Sequence, residues 1–454
     1  MYGYALLTKI PFRHRDKKFV GIHSFMGQRK SIMVIDPNYI KQIFIKDFDH
    51  FTNKRKFEFG NKYLDNALFL LEGDNWRKAR HASTPAFTSG KLKKMSKLMK
   101  KVADDLVTQL DKFASTGEEV DAKDLSLKFT VTVIANVAFG IDANAFEPKG
   151  EQFYKMARRI GGADRTTKDI IKFLITSVLP SVVTKALNMD NFFQEGTIKF
   201  FNDIIDQRVK MNKTNANDMV VLFKETLMGG GEEGKTENTN KFTEEEMDII
   251  LRGNLFAFFL AGMELPAIMM SGCIYFLARN QDIQEKLLME IKAADLDDNL
   301  DYNTIMGLPY LDMVVKEAMR HSATTDGSLV CSRDYQVPGT DAIIPKGMRV
   351  TLSAHGLAMD ERYFPNPTVF NPEHFNSTNK DKRNSATEVA FSIGPRQCIG
   401  NRFAMLQFKT GIANMVSKFN ILPTPRLPEK YEADPKAGSF KVKGGIWVKF
   451  ERRV

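Results

Sequence analysis

The chain has 454 residues, 43% hydrophobic and 26% charged, with a net charge of +10 and a pI near 9.2. That composition excludes global disorder and gives enough chain to bury a large core. The basic balance raises nucleic acid as a partner, but the cations are interspersed with acids and form no recognised nucleic-acid module, so no nucleic acid is expected and an acidic protein or an anionic membrane surface fits better.

Three cysteines, Cys273, Cys331 and Cys398, cannot build a disulfide framework in so long a chain, and no pair has metal-finger spacing. A reducing compartment fits. The seven histidines contain no H-x-x-x-H pair, so a metal here would need another ligand.

Residues 1–18 (MYGYALLTKIPFRHRDKK) hold only a short apolar stretch before Lys9, too little for a signal h-region or a membrane span. Strand-like alternation follows over Phe19–Val34. Helical periodicity then predicts helices over Leu92–Phe113, Leu125–Phe139, Phe153–Ile160 and Phe192–Lys210. Within the first, Lys91–Lys101 carries six lysines and no acid, either a docking face or a solvated helix face. Met228–Asn240 (MGGGEEGKTENTN) reads as a surface loop. The next helix, Thr243–Arg279, contains an apolar run, Leu255–Leu277, long enough for a membrane span but interrupted by Glu264 and Pro266, so a central helix buried on all sides is the better reading. Helices over Gln281–Ala294 and Leu308–His321 precede strands at Leu329–Val337 and Met348–Ser353. A polar stretch, Asn376–Ala386, leads to a helix over Arg402–Lys418 and a terminal hairpin, Phe440–Phe450, turning at Gly444-Gly445. The predicted fold class is mainly α with a small β portion.

The segment Phe391-Ser-Ile-Gly394-Pro-Arg396-Gln-Cys398-Ile-Gly400 carries the chemistry. A thiolate that ligates iron is a charge in a sheltered site, so it needs backbone N–H donors and a close chain approach, which Gly394 and Gly400 permit. Arg396 can reach a carboxylate on a porphyrin, and Phe391 can cover the sulfur side of its ring. The alternative is a glycine-punctuated loop around an inert cysteine.

This loop resembles the cysteine-ligand loop of the cytochromes P450, a family of haem-thiolate enzymes. Further motifs along the chain carry the same resemblance. Glu317-Ala-Met-Arg320 is similar to the family's Glu-x-x-Arg pair, whose i, i+3 spacing lets the charges meet. Pro372-Glu373-His374-Phe375 resembles the Pro-Glu-Arg-Phe motif, with His374 in place of the network arginine. Trp76-Arg-Lys-Ala-Arg80 resembles the W-x-x-x-R motif, implying that Trp76 and Arg80 bind a haem propionate. Ala261-Gly262-Met-Glu264-Leu265-Pro266 stands where the family has A-G-x-(D/E)-T-(T/S); Ala261 and Gly262 would leave room above the porphyrin and Glu264 would relay protons. Leu265 replaces the hydroxyl that family members use to order oxygen and water. Leu329 replaces a propionate arginine. Pro266 removes an N–H and should distort the helix.

The resemblance implies a P450 fold in a single large domain over 1–454, haem b on the Cys398 thiolate, and kinship to the microsomal branch that oxidises foreign compounds. It implies a monooxygenase that takes electrons from NADPH through a flavoprotein reductase, with a cytochrome b-type donor as a second partner, and hydroxylates an apolar small molecule. The substrate pocket would draw on Phe57–Phe69, a roof at Ile170–Leu187 that also touches the bilayer or is plain core, Ala323–Leu329 and the hairpin turn. The branch lies on the cytoplasmic face of the endoplasmic reticulum membrane behind an N-terminal helix and a Pro-rich hinge, which this sequence does not show, so a truncated or peripheral form is expected. Leu265 leaves open a haem-thiolate isomerase or lyase acting on a peroxide, a departure that thromboxane synthase resembles. With Leu329 and His374 it also leaves open a haem-binding protein without turnover.

Overall fold

A computed structural model describes residues 10, 13–24, 29–55, 59–161, 195–210, 219–227, 243–295, 301–322, 326–434 and 441–453. The expected roof at Ile170–Leu187, the loop at Met228–Asn240, residues 57–58 and 323–325 of the expected pocket and residues 192–194 of an expected helix lie outside them. Helices of eight or more residues are, in chain order, α1 Gly73–Ser83, α2 Ser89–Thr116, α3 Ala122–Phe139, α4 Glu151–Gly161, α5 Glu195–Lys210, α6 Met219–Leu227, α7 Glu244–Arg279, α8 Gln281–Ala293, α9 Pro309–His321 and α10 Asn401–Lys418. Strands are β1 Phe19–Ser24, β2 Arg29–Val34, β3 Val120–Asp121, β4 Gly327–Val330, β5 Tyr335–Gln336, β6 Ile343–Ile344, β7 Arg349–Leu352, β8 Phe419–Pro423 and β9 Trp447–Arg452. The chain is mainly helical with a small sheet portion, and its contacts gather into two compact units, each assembled from separate stretches.

The first unit takes residues 1–56, 309–401 and 432–443. Its four-stranded sheet runs β1-β2-β7-β4, antiparallel except for the parallel β2–β7 pair. One sheet face packs Val34, Leu329, Val350 and Leu352 against Ile40, Ile43, Phe44 and Phe51. Leu329 sits opposite Val350 and is 2% exposed, so this register makes position 329 a core position. An arginine there would enter an apolar cluster, which gives a physical reason for leucine.

The second unit takes residues 57–308, 402–431 and 444–454. Thr243 opens α7 with a capping box to Glu246, and three acids in its first turn suit the helix N-terminus. Helix α7 packs most extensively against α3, and its Phe256 and Phe259 meet the rings of Phe139, Phe153 and Phe201 in edge-on and tilted contacts. By length and hydropathy α7 passes as a membrane span, but 67% of its most apolar window is buried within the fold. The helix runs through Pro266 without a break. Thr130 of α3 donates its hydroxyl to the Met263 carbonyl at 2.9 Å, a bond from a neighbouring helix beside the interrupted turn.

One expectation is corrected. Among the described residues the C-terminal segment does not pair with itself as a hairpin: β9 pairs with β8 and β3, while Val442 bridges to Ala433. Gly444 and Gly445 do turn the chain, both left-handed. Within the polar stretch 376–386, Asn376 caps a short helix, Ser377–Lys382, that buries nothing. Helices α1 and α6 had no periodicity strong enough to be predicted.

Candidate active site

The Cys398 loop closes on itself. The Cys398 N–H donates to the Phe391 carbonyl at 2.9 Å and the Gln397 N–H to the Gly394 carbonyl at 3.0 Å, while Ser392 and Gly394 are both left-handed. A Cβ on Gly394 would lie 2.0 Å from the Phe44 carbonyl oxygen, so glycine is required there by backbone conformation and by contact. Gly400 leads into α10 without a left-handed backbone. Arg396 is buried and donates Nε to the Thr52 carbonyl at 2.8 Å, which fixes its guanidinium.

Among the three cysteines, Cys273 and Cys331 are 0% and 1% exposed, and burial raises both thiols. Cys398 alone is exposed, three residues ahead of α10, where the helix N-terminus favours a thiolate. A reachable thiol in a glycine-shaped loop with a half-buried Phe391 fits an axial haem ligand.

The same unit holds a buried network. Arg320 pairs with Glu317 through both ends of its fork, at 2.7 and 2.9 Å, and donates to the Ala358 carbonyl at 2.6 Å. Glu317 is 0% exposed and also accepts the Asn371 N–H. Burial alone would raise its carboxyl, but hydrogen bonds from Arg320, with His321 and His374 alongside, outweigh this and hold it well below the usual carboxylate range. His374 takes the arginine's place by geometry: Nδ1 faces Glu317 Oε1 at 3.1 Å and Nε2 faces the Pro365 carbonyl at 2.8 Å. Phe364 lies edge-on to His374, with Arg320 over its face.

In the second unit, Trp76 is 4% exposed and Arg80, one turn on, is half-buried. On α7, Ala261 and Leu265 are exposed points four residues apart on a helix otherwise largely buried, with Leu265 at 37%. Glu264 accepts from Lys123 Nζ of α3 at 2.8 Å, both side chains mostly sheltered. Gly262 serves helix packing: a Cβ there would lie 2.4 Å from Ile134 Cδ1 of α3.

A sequence model of the cytochrome P450 family matches residues 12–446. The chain belongs to the cytochrome P450 family. It is 32% identical over 458 residues to a probable cytochrome P450 9f2 of Drosophila melanogaster, covering 96% of this chain and 87% of that protein. It is 32% identical over 453 residues to cytochrome P450 6B1 of Papilio polyxenes, with coverage of 96% and 87%, and 33% identical over 427 residues to cytochrome P450 6B7 of Helicoverpa armigera, with coverage of 92% and 82%. As a member of the family it is a haem-thiolate monooxygenase that binds haem b through a cysteine thiolate.

In this cytochrome P450 the motif residues fall into two sets. Phe391, Gly394, Arg396, Cys398 and Gly400 lie in one unit with Glu317, Arg320 and His374; Trp76, Arg80, Ala261, Gly262 and Glu264 lie in the other. Sequence reasoning missed Lys123, Thr130, Thr52 and His321. Lys123 and Thr130 meet α7 from more than 130 residues away, with no local signal. His321 had one, since it stands four residues after Glu317 on the same helix.

Proposed function

We propose that this cytochrome P450 hydroxylates an apolar foreign compound at the cytoplasmic face of the endoplasmic reticulum membrane, with electrons from NADPH delivered by a flavoprotein reductase and Cys398 as the axial ligand. The observation that carries the ligand assignment is the exposure of Cys398 in a loop that Gly394 shapes, against two fully buried alternatives. Haem on a thiolate supplies dioxygen activation when reduced. Arg396, Trp76 and Arg80 would hold its propionates, and Phe391 would cover the sulfur side. Ala261 and Leu265 would face the oxygen side, where leucine orders no water. Glu264 would move protons, and to do so it must leave the 2.8 Å bond to Lys123 Nζ.

Anaerobic reduction under carbon monoxide tests the ligand. We expect a strongly red-shifted Soret band that Cys398→Ser abolishes and Cys331→Ser retains; persistence of that band in Cys398→Ser would refute the assignment.

A second reading is favoured by Leu265, an aliphatic side chain 37% exposed where a hydroxyl would stand: rearrangement of an organic peroxide without reductase or oxygen. Rapid turnover of a fatty-acid hydroperoxide in the absence of NADPH would replace the monooxygenase reading with this one.

A further inference from the structure

Helix α7 presents an open strip that ends abruptly. Ala261 and Leu265 are exposed on it, and at 3.6 residues per turn Asn254 points within about 20° of the same direction as both. Asn254 is nevertheless 0% exposed. The segment 59–71 covers it: Asn254 Oδ1 accepts the Leu68 N–H at 2.7 Å, at a level of the helix about 10 Å along its axis from Ala261. Phe258, half-buried on the same side between the two, holds its ring against Phe87 and Phe223. Phe69, next to the bonded Leu68, is 36% exposed and has the Phe59 ring edge-on at 6.2 Å. The strip is therefore apolar and ends at a segment that carries an open aromatic ring.

Three consecutive residues of α7 hold that segment. Beside Asn254, a Cβ on Gly253 would lie 2.1 Å from the Tyr63 carbonyl oxygen, so the two backbones touch and a side chain would part them. Arg252 bonds Asp248 one turn back at 2.8 Å and Asp206 of α5 at 2.6 Å, with its guanidinium 5.8 Å from the Tyr63 ring centre. The segment is also braced within itself. Asp65 accepts the N–H groups of Phe59 and Asn61, and the Leu70 N–H donates to the Ala67 carbonyl. A piece so braced shifts as a unit, and its place on α7 depends on the bond between Asn254 and Leu68, which joins positions 186 residues apart.

We infer, on the reading that Ala261 and Leu265 face the haem, that Asn254 is a positioning residue for substrate. Its bond to Leu68, with Gly253 and Arg252 beside it, fixes where the open strip of α7 ends and so limits the length of apolar molecule that the site accepts. Asn254 is itself closed to a ligand and acts only through the segment it holds. It therefore selects by length and not by a hydrogen bond to the substrate.

A series of 1-alkylimidazoles titrated into the haem-loaded full chain measures that length. The imidazole nitrogen ligates ferric haem while the tail reads the apolar strip, and bare imidazole reads access to the iron alone. In the unsubstituted protein we expect affinity, followed by the Soret shift, to rise with tail length and then level off. In Asn254→Ala the levelling moves to longer tails, so the affinity for 1-dodecylimidazole relative to 1-butylimidazole rises by about ten-fold while bare imidazole binds as before. Should that variant fail to fold, Arg252→Met, at a side chain 15% exposed, carries the same test with a change of about three-fold. An unchanged ratio, or an equal weakening of every tail, overturns the inference. If bare imidazole leaves the Soret band of the unsubstituted protein unmoved, the haem reading falls and the inference with it, which separates the two failures.

Discussion

On the proposed reading, Leu265 is the side chain that most changes the oxygen side of the haem. It is partly open on a face where neighbouring Ala261 is also open, so it occupies space that water would otherwise share. A threonine there would offer a donor and an acceptor in a smaller volume. We expect Leu265→Thr to lower the hydrogen peroxide released per NADPH consumed several-fold and to raise product yield in step; unchanged values in a reductase-coupled assay would remove Leu265 from the proton path. The residues around Cys398 were legible in the sequence because the loop is local: its closing bonds join residues at most seven apart. The tether on Glu264 was not, because Lys123 approaches from 141 residues away along another helix. Gly262 was legible as a small residue, but only the position of Ile134 shows the helix packing that its missing Cβ admits.

At the scale of elements, α9 is held to the segment after Phe364 by one carboxylate. Glu317 accepts from Arg320, the Asn371 N–H and His374, so a single group joins a helix, a loop and a 3₁₀ turn. Replacing it leaves the Arg320 guanidinium buried without its counter-charge, a change that costs about 3–5 kcal/mol. We expect Glu317→Gln to lower unfolding stability by that amount and to reduce haem retention, read from urea denaturation midpoints followed by the Soret band. His374→Arg is the contrasting variant, because it keeps a donor at the same end of the network; it should cost much less. The Glu-x-x-Arg spacing made the pair legible. The fitness of histidine in the third place depends on the Pro365 carbonyl, which spacing cannot reveal.

For the whole molecule, buried titrating groups shape stability in opposite senses. Glu317 is depressed, so its contribution is complete above the ordinary glutamate range near 4.3 and is lost as pH falls below it. His321 is lowered by burial and remains neutral, so stability is again lost as pH falls through the ordinary histidine range near 6.5. Asp326 runs the other way: burial pushes its carboxyl up to about 6, against a backbone hydrogen bond from Ala354, so ionising it costs stability as pH rises from about 4 to 6. We expect Asp326→Asn to stabilise the protein by about 2 kcal/mol at neutral pH, and the gain to vanish below about pH 4. Denaturation midpoints compared across that range check it; a gain independent of pH would assign the effect to packing. The mainly helical architecture was legible from periodicity, whereas the partner of the last strand was not, because β9 joins β8 and β3 over long chain separations.

The parallel pairing of β2 with β7 sets a timetable for biosynthesis. Ser31 must wait for Arg349, roughly 320 residues later, before its outer backbone groups are covered. At about 5–20 residues per second, the nascent β1–β2 hairpin therefore stands with an open edge for tens of seconds, and that interval is when a growing chain is most vulnerable to sticking to its neighbours on the ribosome.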